Sequence, residues 1–143
     1  MSELLNLEPK RVFYYFEKIC SIPHGSGNMS KIADFCVDFA KEHNLEYARD
    51  NADNIVVYKS ATKGYESKEP VILQGHLDMV CQKEEGYEID FVNDAIKPYV
   101  EGDFVKAKGT TLGADNGIAV AIILAILESG SYNHPPIEAV FTV

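Results

Sequence analysis

The sequence predicts an α/β fold in which a mixed, largely parallel sheet is flanked by helices on both faces. Two apolar runs, residues 71–73 and 137–143, are typical of buried strands, since strands covered on both faces of a parallel sheet carry largely apolar segments. Helical spacing of apolar residues elsewhere supplies the layers that would cover such a sheet. With 143 residues and 46% hydrophobic content, the chain is long enough for one domain with its own core.

Two amphipathic helices are predicted in the first third of the chain. Pro9 suits a first helical turn, and apolar residues then recur at helical spacing up to a break at residues 21–23. After a turn-rich loop at residues 23–28, Ser30 can cap a second helix that ends near residues 43–44. Each helix therefore presents one apolar face to a core.

The rest of the chain alternates between strands, loops and one very apolar helix. The periodicity and the turn residues predict a hairpin at residues 45–49 and 54–59, a buried strand at 71–73 and an acidic surface loop at 82–98. They then predict a short strand at 104–108, a glycine-punctuated loop at 109–117, an apolar helix at 118–128 and a last buried strand at 137–143.

Composition and charge narrow the class of partner. The net charge is −9, from 22 acidic and 13 basic residues, which argues against nucleic acid because phosphate-backbone binding relies on clustered Lys and Arg. The longest apolar segment, residues 117–127, is shorter than the roughly 20 residues that span a bilayer, so we expect no membrane role. The first residues lack the pattern of a secretion signal, and we therefore expect a cytoplasmic protein.

His76 and Asp78 follow the first buried strand directly, at the sheet edge where α/β proteins bind ligands. Zinc prefers neutral His nitrogens and carboxylate oxygens, and a second hydrogen bond to a carboxylate often orients a ligating His. Side chains two positions apart on a strand share a face, so the pair can approach one locus. They are candidate metal or catalytic residues, although a bare His-x-Asp pattern is more often part of a surface loop.

Asp115 lies in the glycine-punctuated loop, directly before the apolar helix. Two interpretations remain open for it. Asp is a good helix N-cap, and Asn116-Gly117 is a common turn pair, so the loop can be purely structural. Alternatively, the Asp115 carboxylate is a metal-bridging ligand.

The remaining histidines and cysteines are expected to be structural. The three cysteines are an odd number without metal-binding spacing, which predicts reduced thiols that pack as small apolar residues. Cys81 lies close to Asp78, but no neighbouring general base would activate it as a nucleophile. The other histidines are expected at the surface, two in loops (His24 and His134) and one on a helix (His43).

The segments 75–83 (GHLDMVCQK) and 109–117 (GTTLGADNG) together resemble the cocatalytic zinc aminopeptidase and carboxypeptidase family that includes the aminoacylases. The sequence is most similar to its aminoacyl-histidine dipeptidase branch, which cleaves Xaa-His dipeptides of the carnosine type. The similarity runs over nearly all 143 residues, including residues 22–28, and covers the N-terminal part of such a catalytic domain.

The resemblance implies a role for each candidate residue. His76 would ligate one metal, Asp78 would be the catalytic-site carboxylate that orients His76, and Asp115 would bridge two metals across a peptide bond to Asn116 that is often cis. The cofactors would be two divalent ions, most readily Zn²⁺, with Mn²⁺ or Co²⁺ as alternatives. The intact enzyme would hydrolyse dipeptides and form a homodimer.

The family also has a Glu-Glu pair just beyond a strand like residues 137–143, a further carboxylate, a distant His ligand and an inserted dimerisation domain, all of which are expected beyond residue 143. Since a zinc site needs at least three protein ligands, we expect this chain alone to be inactive and to hold no metal. Its last strand is expected to leave an unpaired edge or apolar patch through which the chain can self-associate.

Two alternatives to the dipeptidase remain. A tripeptidase of the same family has a similar loop but typically carries Lys at the position of Gly117. From a different class, the chain could be a non-catalytic α/β binding or interaction module in which Asp115 only caps a helix.

Overall fold

The structure, a computed structural model, describes residues 3–143, so Met1 and Ser2, which enter the expectation about a secretion signal, lie outside the described residues. Within that range the chain forms three α-helices, six strands and a short 3-10 helix, which confirms the predicted α/β class. The helices are α1 (Lys10–Cys20), α2 (Ser30–Glu42) and α3 (Ala114–Glu128), after the 3-10 turn Glu3–Asn6. The strands are β1 (Glu46–Arg49), β2 (Ile55–Lys59), β3 (Val71–His76), β4 (Pro98–Glu101), β5 (Phe104–Ala107) and β6 (Ile137–Thr142).

Four strands form one sheet in the order β1-β2-β6-β3. β1 and β2 pair antiparallel as the predicted hairpin, β2 pairs antiparallel with β6, and β6 pairs parallel with β3. The mixed character of the sheet is therefore confirmed. One of these three ladders is parallel, fewer than expected, because the hairpin joins the sheet through β2.

One face of the sheet carries the core. Ile137, Ala139 and Phe141 of β6 alternate inward, and Ile55 of β2 lies opposite Phe141 on the same face. All three helices lie on this side: α2 packs on β1 and β2, α3 packs on β3, and α1 packs on α3. The predicted helix layer on the opposite face is not found in residues 3–143, where Ile72 is 64% exposed.

β3 differs most from its prediction. Its apolar start was expected to be buried on both faces, but β3 is an edge strand and both Val71 and Ile72 are exposed. Only Gly75 is closely packed, because a Cβ there would lie 3.2 Å from Val120 Cγ2 in α3. Conversely, the last strand, β6, is bonded on both sides, so the expected unpaired edge belongs to β3 instead.

The other elements agree with the sequence apart from two details. β4 was missed: it pairs with β5 across a turn in which Gly102 has a φ of 60°. Ser30 does not cap α2 with its side chain; its hydroxyl donates instead to Asp53 Oδ2 at 3.0 Å. No helix within residues 3–143 has the length and apolar character needed to cross a membrane.

Candidate active site

His76 is the last residue of β3, on the face of the sheet opposite the helices. It lies beside Thr142 in the parallel ladder, and the Leu77 N–H donates to the Thr142 carbonyl at 2.7 Å, which holds the end of β3 against β6. Because Gly75 points at α3, the alternation of the strand turns His76 the other way. Its side chain is 37% exposed and thus remains accessible.

Asp78 lies beside the Nδ1 atom of His76, as the shared-face argument predicted. Nδ1 is 3.1 Å from Asp78 Oδ1 and 3.0 Å from the Asp78 carbonyl oxygen. Both oxygens are acceptors, so Nδ1 carries the hydrogen and donates it. The other ring nitrogen, Nε2, is then the one with a lone pair whenever His76 is neutral.

Asp115 approaches the opposite side of the same ring. Its Oδ1 atom is 3.0 Å from His76 Nε2, although 39 positions separate the two residues. A carboxylate oxygen and a neutral Nε2 each present a lone pair, so this contact requires a cation between them, either a proton on the imidazole or a metal ion.

The backbone around Asp115 excludes the helix-cap interpretation. Gly113, with a φ of 75°, precedes α3, and the hydrogen-bond partner of the Asp115 carboxylate is His76. Asp115 (φ −94°, ψ 103°) and Asn116 are non-helical, the peptide bond between them is cis, and the Asp115 side chain is 96% exposed. The cis bond that the family resemblance implied is therefore present. The Asp115 carboxylate is turned to His76 instead of to the first turn of α3.

A clip between two loops fixes the distance from His76 to Asp115. The Thr111 hydroxyl donates to the Val80 carbonyl at 2.6 Å, and the Thr111 N–H donates to the Gln82 carbonyl at 2.9 Å. Met79 also packs on Gly113, where a Cβ would lie 2.9 Å from Met79 Sδ. No sequence pattern indicates this clip, because threonines are common in loops without such a role.

Ser26 is a second residue that sequence reasoning did not single out for chemistry. It lies in the turn-rich loop before α2, and its hydroxyl donates to Asp78 Oδ2 at 2.5 Å. This hydrogen bond is the main cause of a lowered pKa for Asp78, with partial burial opposing it and the neighbouring His76 adding to it. Asp78 is thus kept ionised while its two oxygens contact different partners.

The pKa of His76 is set by opposing influences. Burial lowers it, but the hydrogen bond to Asp115, together with the contacts to Asp78, outweighs that effect and leaves the pKa above its usual value. In the metal-free protein His76 therefore accepts a proton more readily than a free imidazole does. A bound metal would replace that proton at Nε2.

His24 does not lie in solvent as expected. It is only 2% exposed, its Nδ1 donates to the Ile22 carbonyl at 2.5 Å, and burial lowers its pKa. His43 packs its ring on Phe39 at 4.4 Å between ring centres, and His134 donates through Nδ1 to the Pro135 carbonyl at 2.8 Å. None of the three contacts His76.

The cysteines behave as predicted. All three are free thiols, and Cys20 and Cys36 lie in the core. Burial raises the pKa of both thiols to about 12, with the Glu17 charge a smaller contribution for Cys20. Neither is a reactive thiol at neutral pH.

The residues present suit a metal ion only in part. His76 and Asp115 offer two donors of the types that zinc prefers, and Asp78 orients the histidine. Across residues 3–143, no three or more His, Cys, Asp or Glu side chains are grouped so that they could hold a metal. The described site is therefore compatible with a metal but supplies fewer than three ligands for it.

Comparison with known proteins tests the family resemblance. The chain is 48% identical over all 143 residues to the cytosol non-specific dipeptidase of Escherichia coli (strain K12). Its fold superposes on the crystal structure of the aminoacylhistidine dipeptidase from Vibrio alginolyticus with a TM-score of 0.96, at 46% identity over 99% of the chain. The resemblance to this dipeptidase family is confirmed.

The dipeptidase relatives are much longer than this chain, which spans 30% of the Escherichia coli protein and 29% of the Vibrio chain. A tripeptidase from Staphylococcus aureus shares the fold at a TM-score of 0.74 and 23% identity, over 94% of this chain and 36% of that one. Aminopeptidase PepT from Bacillus cereus shares it at 0.75 and 18% identity, with the same coverage. No family model matches the sequence.

Proposed function

We propose that residues 1–143 form the N-terminal part of the catalytic domain of a metal-dependent dipeptidase that hydrolyses Xaa-His dipeptides of the carnosine type. The observation that carries the proposal is the contact of His76 Nε2 with Asp115 Oδ1 at 3.0 Å. Two lone-pair donors held this closely favour a cation between them. The similarity to dipeptidases over the whole chain supports the choice of substrate class.

Each residue has a distinct role in this proposal. His76 would hold a metal through Nε2, and Asp115 would supply its carboxylate as a ligand of the metal pair. Asp78 keeps the hydrogen on Nδ1, so that Nε2 stays available as a ligand. When bound, the metal pair supplies Lewis-acid activation of the peptide carbonyl and of the attacking water.

The remaining requirements of the reaction come from outside the described residues. Two donors do not make a zinc site, and neither carboxylate beside His76 serves as the general base, because Asp78 is bonded through both oxygens and Asp115 is assigned to the metals. We therefore expect residues 1–143 alone to bind metal weakly and to lack activity. The complete enzyme, in this proposal, is a cytoplasmic homodimer with Zn²⁺, Mn²⁺ or Co²⁺ at the site.

Gly117 favours the dipeptidase over the tripeptidase alternative. A Cβ at this position would lie 3.3 Å from Phe16 Cε2 and 3.6 Å from Ile19 Cγ2 of α1. The larger Lys that the tripeptidase branch typically carries here would press on Phe16 and Ile19 unless these side chains shift. Gly117 therefore belongs to a packing arrangement suited to the dipeptidase sequence.

The test is hydrolysis of carnosine by a complete, metal-loaded enzyme that contains this segment. His76→Ala and Asp115→Ala should each abolish activity and lower the bound metal content. Asp38→Ala is the matched control, because Asp38 is an exposed carboxylate on α2 that contacts only Lys41. Full activity in both His76 and Asp115 variants would overturn the proposal and leave the non-catalytic module as the better account.

A further inference from the structure

Ser26 belongs to a loop that is attached to the segment after β3. The Met79 N–H donates to the His24 carbonyl at 3.0 Å, the Ser26 N–H donates to the Met79 carbonyl at 3.3 Å, and Gly25 forms a parallel bridge with Met79. These bonds place the start of the 23–28 loop alongside the residue that follows Asp78. The location of Ser26 is therefore set by backbone pairing over more than 50 positions of the chain.

Close packing under the loop limits its freedom further. A Cβ on Gly25 would lie 2.6 Å from Cys81 Sγ, so only glycine lets the loop approach this closely. The Asn28 N–H donates to the Gly25 carbonyl at 2.8 Å and closes the turn on the other side of Ser26. The Ser26 hydroxyl is thus presented to Asp78 by a fixed backbone, although the residue itself is exposed.

The two oxygens of Asp78 have different partners. Oδ1 accepts from His76 Nδ1 at 3.1 Å, and Oδ2 accepts from Ser26 at 2.5 Å. A carboxylate bonded through one oxygen only can rotate about its last side-chain bond, which lets it leave the histidine. With both oxygens bonded, the plane of the carboxylate is fixed, and with it the orientation of the imidazole.

We propose that Ser26 is a positioning residue of the His76 site, whose hydroxyl holds the Asp78 carboxylate so that Nε2 of His76 points to Asp115. This inference rests on the proposed function, since Ser26 acts on metal binding through Asp78 and His76. It does not contact a metal or substrate itself. Its effect is therefore expected on metal affinity first, and on turnover only as a consequence.

The chain offers a matched control of the same chemistry. Ser30 donates from its hydroxyl to Asp53 Oδ2 at 3.0 Å, four residues further along and also at the surface. Asp53 contacts Arg49 and not His76. Ser30 and Asp53 line the same cavity as Ser26 and Asp78. Removing the Ser30 hydroxyl therefore breaks a neighbouring Ser-Asp hydrogen bond but leaves the bonds to Asp78 and His76 in place.

The experiment measures zinc affinity of the complete enzyme by competition with a chelator of known affinity. Ser26→Ala should weaken zinc binding about tenfold, within the range found for partners that orient metal ligands. Ser26→Thr, which keeps the hydroxyl, should restore most of it, and Ser30→Ala should leave it unchanged. His76→Ala is included in the same series and should lose affinity more strongly than Ser26→Ala.

A second readout needs no metal. The ¹⁵N spectrum of the His76 ring in residues 1–143 should show the hydrogen on Nδ1, and Ser26→Ala should shift the population towards the other tautomer. If Ser26→Ala unfolds at a lower temperature than Ser30→Ala, Ser26→Cys replaces it, because a thiol keeps the volume but is a weak donor.

The outcomes separate the two proposals. If His76→Ala loses affinity but Ser26→Ala matches the unchanged protein in both readouts, the positioning role is wrong and the proposed function stands. If His76→Ala keeps full zinc affinity, the proposed function fails and the role of Ser26 fails with it. Equal loss in Ser26→Ala and Ser30→Ala would also overturn the positioning role, because it would indicate general destabilisation.

Discussion

The Nε2 atom of His76, at the end of β3, and the Oδ1 atom of Asp115, at the start of α3, lie 3.0 Å apart. The arrangement depends on contacts remote from the pair: the Thr111 clip holds one loop against the other, and Ser26 holds the carboxylate behind the histidine. Contacts of the surrounding chain thus hold the two side chains together. Such preorganisation lowers the cost of binding a metal.

Zinc titration of residues 1–143 should give weak binding without a fixed stoichiometry. Only two donors converge in the described residues, and zinc sites in proteins use at least three. Isothermal titration calorimetry measures this directly, with Asp115→Ala as the variant that should remove the residual signal. Tight binding of two ions per chain would show that the ligand set is larger than His76 and Asp115.

The pKa of His76 should lie above 6.5 in the metal-free protein, and Asp115→Asn should lower it. Burial works against protonation, but the hydrogen bond to the Asp115 carboxylate more than compensates. Because the folded-state pKa is raised, this contact stabilises the fold fully below the unfolded-state pKa of about 6.5 and is lost as pH rises through the folded-state pKa. A ¹H NMR titration gives the pKa of the His76 ring in the unsubstituted protein and in the variant. An unchanged pKa in Asp115→Asn would contradict the contact.

His24 should destabilise the protein in acid. Burial lowers its pKa, so the folded protein protonates His24 less readily than the unfolded chain does, and protonation of the unfolded chain below about pH 6.5 draws the equilibrium towards unfolding. Urea unfolding from pH 7.5 to pH 5 should therefore show a falling free energy of unfolding. His24→Asn keeps a donor for the Ile22 carbonyl but does not titrate, so the free energy of unfolding of this variant should fall less steeply towards pH 5. An equally steep fall would show that another group causes the acid destabilisation.

Gly113→Ala should cost more stability than Gly64→Ala. Both glycines have left-handed backbone, with φ of 75° and 89°, so alanine costs about 1 kcal/mol at either site. At Gly113 an added Cβ would also lie 2.9 Å from Met79 Sδ, whereas no atom lies within 4 Å of the position that a Cβ would take at Gly64. The difference in free energy of unfolding between the two variants measures the Met79 contact, and equal costs would mean that Met79 moves aside freely.

Ile72→Lys should reduce self-association of residues 1–143. Ile72 is 64% exposed on the edge strand β3, which leaves an unpaired row of backbone groups beside an apolar side chain. Phe104→Lys is the control, since Phe104 is 68% exposed but lies on the separate β4–β5 hairpin. Sedimentation velocity over a range of concentrations distinguishes them; a monomer at all concentrations in the unsubstituted chain would contradict the prediction.

Local patterns in the sequence were sufficient for the elements whose burial is periodic. The helices α1 and α2 and the β1–β2 hairpin follow from spacing and turn residues alone. The exposure of β3 could not be predicted, because an apolar run of three residues does not reveal whether a second strand covers its edge. β4 was missed because Pro98 and its acidic surroundings are untypical of a strand.

The residues of the candidate site could likewise be predicted from the sequence only in part. His76, Asp78 and Asp115 were found because their residue types and spacing match a known chemistry. Ser26 and Thr111 were not, since each acts through hydrogen bonds to residues at least 29 positions away. His24 was assigned to solvent because its loop is polar, whereas tertiary packing buries it.

The parallel ladder between β3 and β6 has a consequence for protein engineering. His76 lies opposite Thr142. Because β3 and β6 are parallel, the residues that follow these two strands leave the sheet at the same edge. Val143 already lines a cavity of about 340 Å³ together with Ser26 and Asp78. Position 143 is therefore where a designer would begin in building an additional metal ligand into this scaffold, with β6 as a rigid support.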